Sequence, residues 1–213
     1  MKHLKLFAAL CCAAMLFAAC DKSNEPSNVH EYVDLGLPSG TLWATCNVGA
    51  DTPEEYGNCY AWGETETKTD YSWETYKFFT TDGGGTFTKY NGTDGKTTLD
   101  PEDDAATVNW GGKWRMPTDD EWRELYKNCT WTWTTLNGVN GYEVKSNANG
   151  NSIFLPAAGY CNVDGWNKAG RKGIYWSSSL LFGHGSSVSF DSDDVNMSIS
   201  DRFIGPSVRP VFK

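Results

Sequence analysis

The chain has 213 residues and a formal net charge of −9, with 18 Lys and Arg against 27 Asp and Glu. That acidic balance argues against nucleic acid as a partner and against an electrostatic hold on anionic lipid. Ten Trp, ten Tyr, ten Phe and 22 Gly point to glycine-rich loops hung between short aromatic-rich strands.

The first residues read as a targeting segment. Lys2 and Lys5 precede an apolar run, LFAALCCAAMLFAA (Leu6 to Ala19), too short and too near the terminus for a comfortable membrane span. LFAAC resembles a bacterial lipobox, with Phe17 in place of the usual Leu. The resemblance implies that Cys20 is diacylated and becomes the mature N-terminus; a plain secretory signal cut nearby is the alternative. The polar stretch that follows has nothing to bury and reads as a tether. The expected organisation is a signal peptide over 1–19, a tether over 20–30 and a folded domain over 31–213. Loss of residues 1–19 removes two lysines and no acid, which moves the net charge from −9 to −11.

Cys46, Cys59, Cys129 and Cys161 remain in the domain. Outside the cytoplasm four cysteines permit disulfides in three connectivities, and the spacing does not choose among them. Buried free thiols fit equally well. No CxxC or Cys/His grouping suggests zinc, and no metal or cofactor is expected.

In chain order, EYVDLGL (31–37) reads as an opening strand. TLWATCNV (41–48) alternates, with Trp43 facing away from Leu42, Ala44, Cys46 and Val48. PEEYG (53–57) suggests one turn of helix. Residues 64–105 are polar and loop-like, with TTDGGGT and NGTDGK as turns. DPEDDAAT (100–107) suits a short helix with Pro101 at its first position, and lacks the alternation of an EF-hand.

The firmest element follows. Thr118 as N-cap with Glu121 three residues on has capping-box spacing. Asp119, Asp120 and Glu121 place negative charge where the helix dipole favours it. Trp122, Leu125, Tyr126 and Cys129 share one face, so a helix is expected near 118–128. WTWTT, GYEVKS, SIFLP and IYWSSS then read as strands. A hairpin is expected where Val188 and Phe190 alternate on one side of DSDD and Val195, Met197 and Ile199 on the other. PSVRPVF closes the chain as a strand, with Val208, Pro210 and Phe212 on one face. The count is seven or eight short strands and one clear helix, around a single hydrophobic core. That is an α+β class, mostly antiparallel with long ordered loops.

Signals of chemistry are few. His30 and His184 are the histidines of the mature chain. There is no GxSxG, HExxH, P-loop or GxGxxG pattern, and no catalytic residue is expected. Asp191, Asp193 and Asp194 read as turn residues; a calcium site with Asn196 is the alternative. Trp166 and Phe182 sit in loop-like segments, where exposed aromatics stack on sugars or anchor protein contacts.

Taken together, VDLGLPSGTLWATCNVGA, PEEYGNCYAWGET, DAATVNWGGKWRMPTDDEW, NGNSIFLPAAGY, YWSSS and GPSVRPV resemble the Fibrobacter succinogenes major paralogous domain. This is a group of secreted and lipid-anchored proteins of gut Bacteroidetes, related to the C-type-lectin-like fold. The resemblance implies that the first and last strands pair and that a long looped region carries the variable surface. WRMPTDDEW is also similar to the WRLPTEAEW helix start of formylglycine-generating enzymes. Those enzymes need a cysteine pair late in the domain, and here no cysteine follows Cys161. Calcium-dependent lectins carry Glu-Pro-Asn and Trp-Asn-Asp; EPS in the tether and WNK match neither. Some relatives of the fold carry diversified C-terminal regions, and Trp176 to Arg209 has that position.

The resulting expectation is a lipid-anchored, outer-membrane binding protein, periplasmic or surface-exposed, that recognises an extracellular protein or glycan. Its contact with the membrane would be through the N-terminal lipid only. Candidate ligand contacts are Trp166, Phe182, His184, Asn196, Ser198, Asp201 and Phe203. Asn196 and Ser198 enter the set because Val195, Met197 and Ile199 claim the core. The rivals are an envelope enzyme (a degenerate formylglycine-type oxidase or a glycan hydrolase) and a structural surface module.

Overall fold

The computed structural model describes residues 30–213; the expected signal peptide over 1–19, Cys20 and the expected tether through Val29 lie outside the described residues. The chain opens with β1 (Tyr32–Asp34) and β2 (Leu42–Ala44). A long excursion follows, holding a 3-10 turn at Trp73–Thr75, β3 (Phe79–Thr80), β4 (Thr86–Phe87) and a second 3-10 turn at Pro101–Asp103. Then come α1 (Ala105–Trp110), α2 (Asp119–Asn128), β5 (Cys129–Leu136), β6 (Val139–Ser146), β7 (Ser152–Pro156), β8 (Tyr160–Asn162) and β9 (Gly165–Asn167). The last third is β10 (Gly173–Leu181), β11 (His184–Phe190), β12 (Val195–Ser200), β13 (Gly205–Pro206) and β14 (Val211–Phe212). This is a mostly-β fold with few helices, within the α+β class. The described residues hold fourteen strands rather than seven or eight, because several pairings last only two or three residues.

All strand pairs are antiparallel, in small sheets ordered β1-β2-β14, β3-β4, β5-β6-β7, β13-β8-β9 and β10-β11-β12. The first and last strands share a sheet but, contrary to what the resemblance implies, do not pair with each other. β2 lies between them, with Val33 opposite Trp43 and Trp43 opposite Val211. A tight turn, in which the Gly40 amide donates to Leu37, folds β2 directly onto β1. Closing that short loop costs less chain entropy than joining the two ends of the domain. In the last strand it is Val211, not Phe212, that is fully buried.

The capped helix forms as its sequence dictates. Thr118 accepts from the Glu121 amide and Glu121 accepts from the Thr118 amide. Arg115 grips the same carboxylate at 2.7 and 2.6 Å, and the Thr41 hydroxyl donates to it at 2.8 Å. Trp122 and Leu125 are fully buried. By contrast, PEEYG is a turn without helix, closed by the Glu55 side chain, which accepts from the amides of Asp51 and Thr52.

Two hydrophobic clusters replace the single core expected. One gathers Trp43, Trp122, Leu125, Val144, Tyr175, Val188 and Phe190. The other draws in part on the segment that reads as a polar loop, because Tyr71, Tyr76, Phe78 and Tyr90 turn inward beside Trp62 and Trp176. The tyrosine hydroxyls find acceptors: Tyr76 donates to the Trp62 carbonyl at 2.7 Å, Tyr71 to the Cys59 carbonyl at 2.8 Å and Tyr90 to the Asp103 carboxylate at 2.7 Å. Each phenol thus buries a ring without leaving its polar end unpaired. Cys59 and Cys161 form a disulfide across 102 residues, while Cys46 and Cys129 remain thiols.

Candidate binding groove

The site is built around one turn. Leu181 pairs with His184 across the β10–β11 hairpin, which leaves Phe182 and Gly183 at its tip. Both have positive φ, 51° and 82°. Two successive left-handed residues make the tight turn that matches strand twist, a place normally taken by Asn-Gly. Glycine suits the second position. Phenylalanine at the first is strained by roughly 1–2 kcal/mol, and its ring is 91% exposed. One pair below the tip, a Cβ on Gly185 would come within 2.7 Å of Trp62 and 2.8 Å of Trp176. Glycine there lets the strand lie directly on the aromatic core.

Arg202 holds the turn from beneath. It is 1% exposed. Its Nε donates to the Gly183 carbonyl at 2.9 Å and Nη2 to the Tyr90 carbonyl at 2.8 Å. The guanidinium lies over the Phe87 ring at 3.8 Å and over the Trp62 ring at 5.4 Å. One side chain therefore ties the hairpin tip to the segment 86–97. Between them lies a groove of about 820 Å³ lined by Phe87, Asn91, Thr93, Lys96, Phe182 and Arg202, among others.

The wall behind the groove is stiffened by charge. Asp103 is nearly buried and receives Lys77 at 2.7 Å, Lys89 at 2.5 Å and the Tyr90 hydroxyl at 2.7 Å. Burial opposes its ionisation, but these donors outweigh that and hold its pKa low. Asp100 takes Lys89 at 2.6 Å and also Lys96; the two ammonium groups bring its carboxyl down to about 2. Asp100, Glu102 and Asp103 lie close enough together to hold a cation. The lysines already supply that positive charge, so the trio is a salt-bridge cluster rather than a metal centre.

The seven residues expected to contact ligand do not form one surface. Phe182, His184 and Asp201 come together, with His184 Nδ1 3.4 Å from Asp201 Oδ1 and both side chains about half exposed. Phe203 is half-buried and packs on Trp73, ring centroids 4.8 Å apart. Asn196 pairs with Ser189 toward the opposite end of the β11–β12 hairpin and donates to Asp194 at 2.9 Å. Ser198 lies between, half-buried. Ile199 is 43% exposed, so it does not claim the core as the alternation implied; it sits opposite Ser186 near the open end of the sheet. Trp166 stands apart on β9, 5.8 Å from Tyr56 and 46% exposed. In the aspartate turn, Asp191 accepts from the Asp193 amide at 3.0 Å and Asp194 from the Val195 amide at 2.8 Å.

Arg202, Phe87, Tyr90 and Lys96 complete the groove, and none was singled out by sequence. The NGTDGK turn marked where the chain reverses. Nothing local in it tells that an arginine more than 100 residues later would fix it in place. Compared with protein-family models, with curated proteins and with solved structures, the chain finds no match in any of the three.

Proposed function

We propose that the chain is a lipid-anchored cell-envelope binding protein of C-type-lectin-like fold, whose ligand is an extracellular glycan or protein. The groove beneath the β10–β11 tip is its recognition surface. The observation that carries this reading is Phe182: a large aromatic ring kept in a strained backbone conformation, fully offered to solvent, beside a groove of amides, hydroxyls and a lysine. Strain of this kind persists where surrounding structure enforces it, and it collects at ligand sites. An aromatic face with nearby polar groups suits stacking on a sugar ring or anchoring a protein contact. The Cys59–Cys161 bridge agrees with an oxidising compartment.

The test is a binding screen of the chain from Asp21 onward against glycans, mucins and envelope proteins, with and without EDTA. A specific ligand that survives EDTA and is lost in Phe182→Ala supports the reading. A ligand abolished by EDTA, or one indifferent to Phe182 and Lys96, moves recognition elsewhere.

A further inference from the structure

The sheet β1-β2-β14 has one face in the core, where Val33, Trp43 and Val211 lie. Strand alternation puts Tyr32, Leu42 and Phe212 on the other face, with exposed Asp34 opposite Leu42 and buried Ala44 opposite Tyr32. Two tryptophans from α1 and the turn after it continue that face. The rings form an unbroken series: Tyr32 to Phe212 at 4.9 Å, Phe212 to Trp114 at 4.6 Å, Trp114 to Trp110 at 5.0 Å, and Trp110 stacked on His30 at 3.6 Å. Tyr32 is 52% exposed, and Phe212, Trp114, Trp110 and Leu42 are each partly open. His30, expected at the end of the tether, is thus part of the domain surface, and it marks where the chain arrives from Cys20.

We infer that this aromatic face rests on the headgroup layer of the membrane, so that the domain meets the bilayer directly as well as through its lipid. The inference rests on the lipid-anchored reading of Cys20. Ten residue steps separate Cys20 from His30, which span at most about 35 Å when fully extended. The face at which the tether arrives is therefore the one that can always reach the bilayer. Trp and Tyr favour the membrane–water interface, where a ring can be apolar on one side and wet on the other. Exposed Lys113 adjoins Trp114, and exposed Lys213 adjoins Phe212; both suit lipid phosphate in a chain that is otherwise acidic. Exposed Glu31 and Asp34 lie in or beside β1, which favours zwitterionic over anionic headgroups. None of the residues named for the binding groove belongs to this face.

The experiment places the full lipid-modified protein in phosphatidylethanolamine–phosphatidylcholine vesicles, with or without bromine on the acyl chains, after its mass has established the acyl groups. Tryptophan emission is then compared. Brominated lipid is expected to quench part of the emission. The quenched part should vanish in the Trp110→Phe/Trp114→Phe protein and shrink in Tyr32→Glu, a change at an exposed site that leaves the core intact. Unquenched emission from the acylated protein overturns the inference, as does quenching that both variants leave unchanged. Emission that answers to a soluble oligosaccharide instead, or a self-association lost in Tyr32→Glu, assigns the face to a glycan or a second copy and overturns it too. A mass without acyl groups defeats the anchor reading alone; the same protein added to brominated vesicles from solution still decides whether the face binds lipid.

Discussion

The guanidinium of Arg202 lies 3.8 Å above the ring of Phe87 while its Nε holds the carbonyl of Gly183. Two loops distant in sequence are thereby fixed by one buried cation, whose own pKa burial pulls down. Arg202→Met keeps much of the volume but leaves the carbonyls of Gly183 and Tyr90 without their donor. The Tyr90 carbonyl is buried whereas Gly183 is exposed at the tip, and an unpaired buried acceptor costs about 1–3 kcal/mol, so urea denaturation should show a loss of about 1–3 kcal/mol. Ligand affinity should fall with it. An unchanged midpoint would mean that water replaces the guanidinium and that the turn stands without it.

Stability and binding should move in opposite directions at Phe182. Glycine relieves the left-handed strain, so Phe182→Gly is expected to stabilise by roughly 1 kcal/mol. Phe182→Ala should change stability by less than about 0.5 kcal/mol, since the ring is almost wholly in solvent. Both should weaken ligand binding. Paired melting curves and titrations check this, and a destabilised glycine variant would show that the ring packs in solution.

The disulfide between Cys59 and Cys161 closes a loop of 102 residues. A bridge of that reach typically contributes about 2–4 kcal/mol by restricting the unfolded chain. Cys59→Ser, or reductant, should lower the urea midpoint accordingly. Thiol counting on the chain from Asp21 should find two reactive groups in denaturant and four after reduction, matching Cys46 and Cys129 as thiols. In the native state Cys129 should react slowly, because burial pushes its pKa up to about 11 and the thiolate is the reactive form.

Acid should weaken the fold through Glu121. Burial opposes its ionisation, but Arg115, the Thr118 amide and the Thr41 hydroxyl together hold its pKa below the ordinary 4.5. The unfolded chain therefore takes up the proton first. The contribution is complete above about pH 4.5 and is lost as pH falls toward the depressed folded value. Asp104 works in the other sense, since burial raises its pKa and acidification relieves that cost. Glu121→Gln should cost about 1–3 kcal/mol at pH 7 and flatten the decline of stability below pH 4.5. A slope equal to that of the unchanged protein would place acid sensitivity in other carboxylates, with Asp103 the first to test.

Much of the local structure was legible because its causes are local. The Thr118 capping box, the hairpin around DSDD, and Pro101 opening a short helical turn each follow from spacings of a few residues. The segment 64–105 is loop-like as expected, but the burial of its aromatics is hidden for the converse reason. Its aromatics are spaced irregularly among Gly, Asp and Thr, so no helical or strand period reveals that Tyr71, Tyr76, Phe78 and Tyr90 are buried. Ile199 failed the opposite way: its alternation is perfect, but the sheet ends before anything covers it.

The candidate contacts divide along the same line. Phe182 and Trp166 were visible as aromatics in loops, and both are exposed. Asn196 enters by strand alternation and Phe203 by its place among the C-terminal loops, and the hairpin length and the Trp73 contact separate them from Phe182. The sequence by itself determined what neighbours along the chain can negotiate: composition, caps, turns and alternation. Only the tertiary structure decided which thiols bridge, that β2 stands between β1 and β14, and that Arg202 and Arg209 are buried. Arg209 shows why. It is fully buried, bonding Asn47 and the carbonyls of Ala44, Thr45 and Phe154. A cation can leave water only where several acceptors converge on it, and here they come from strands and loops as many as 165 residues away.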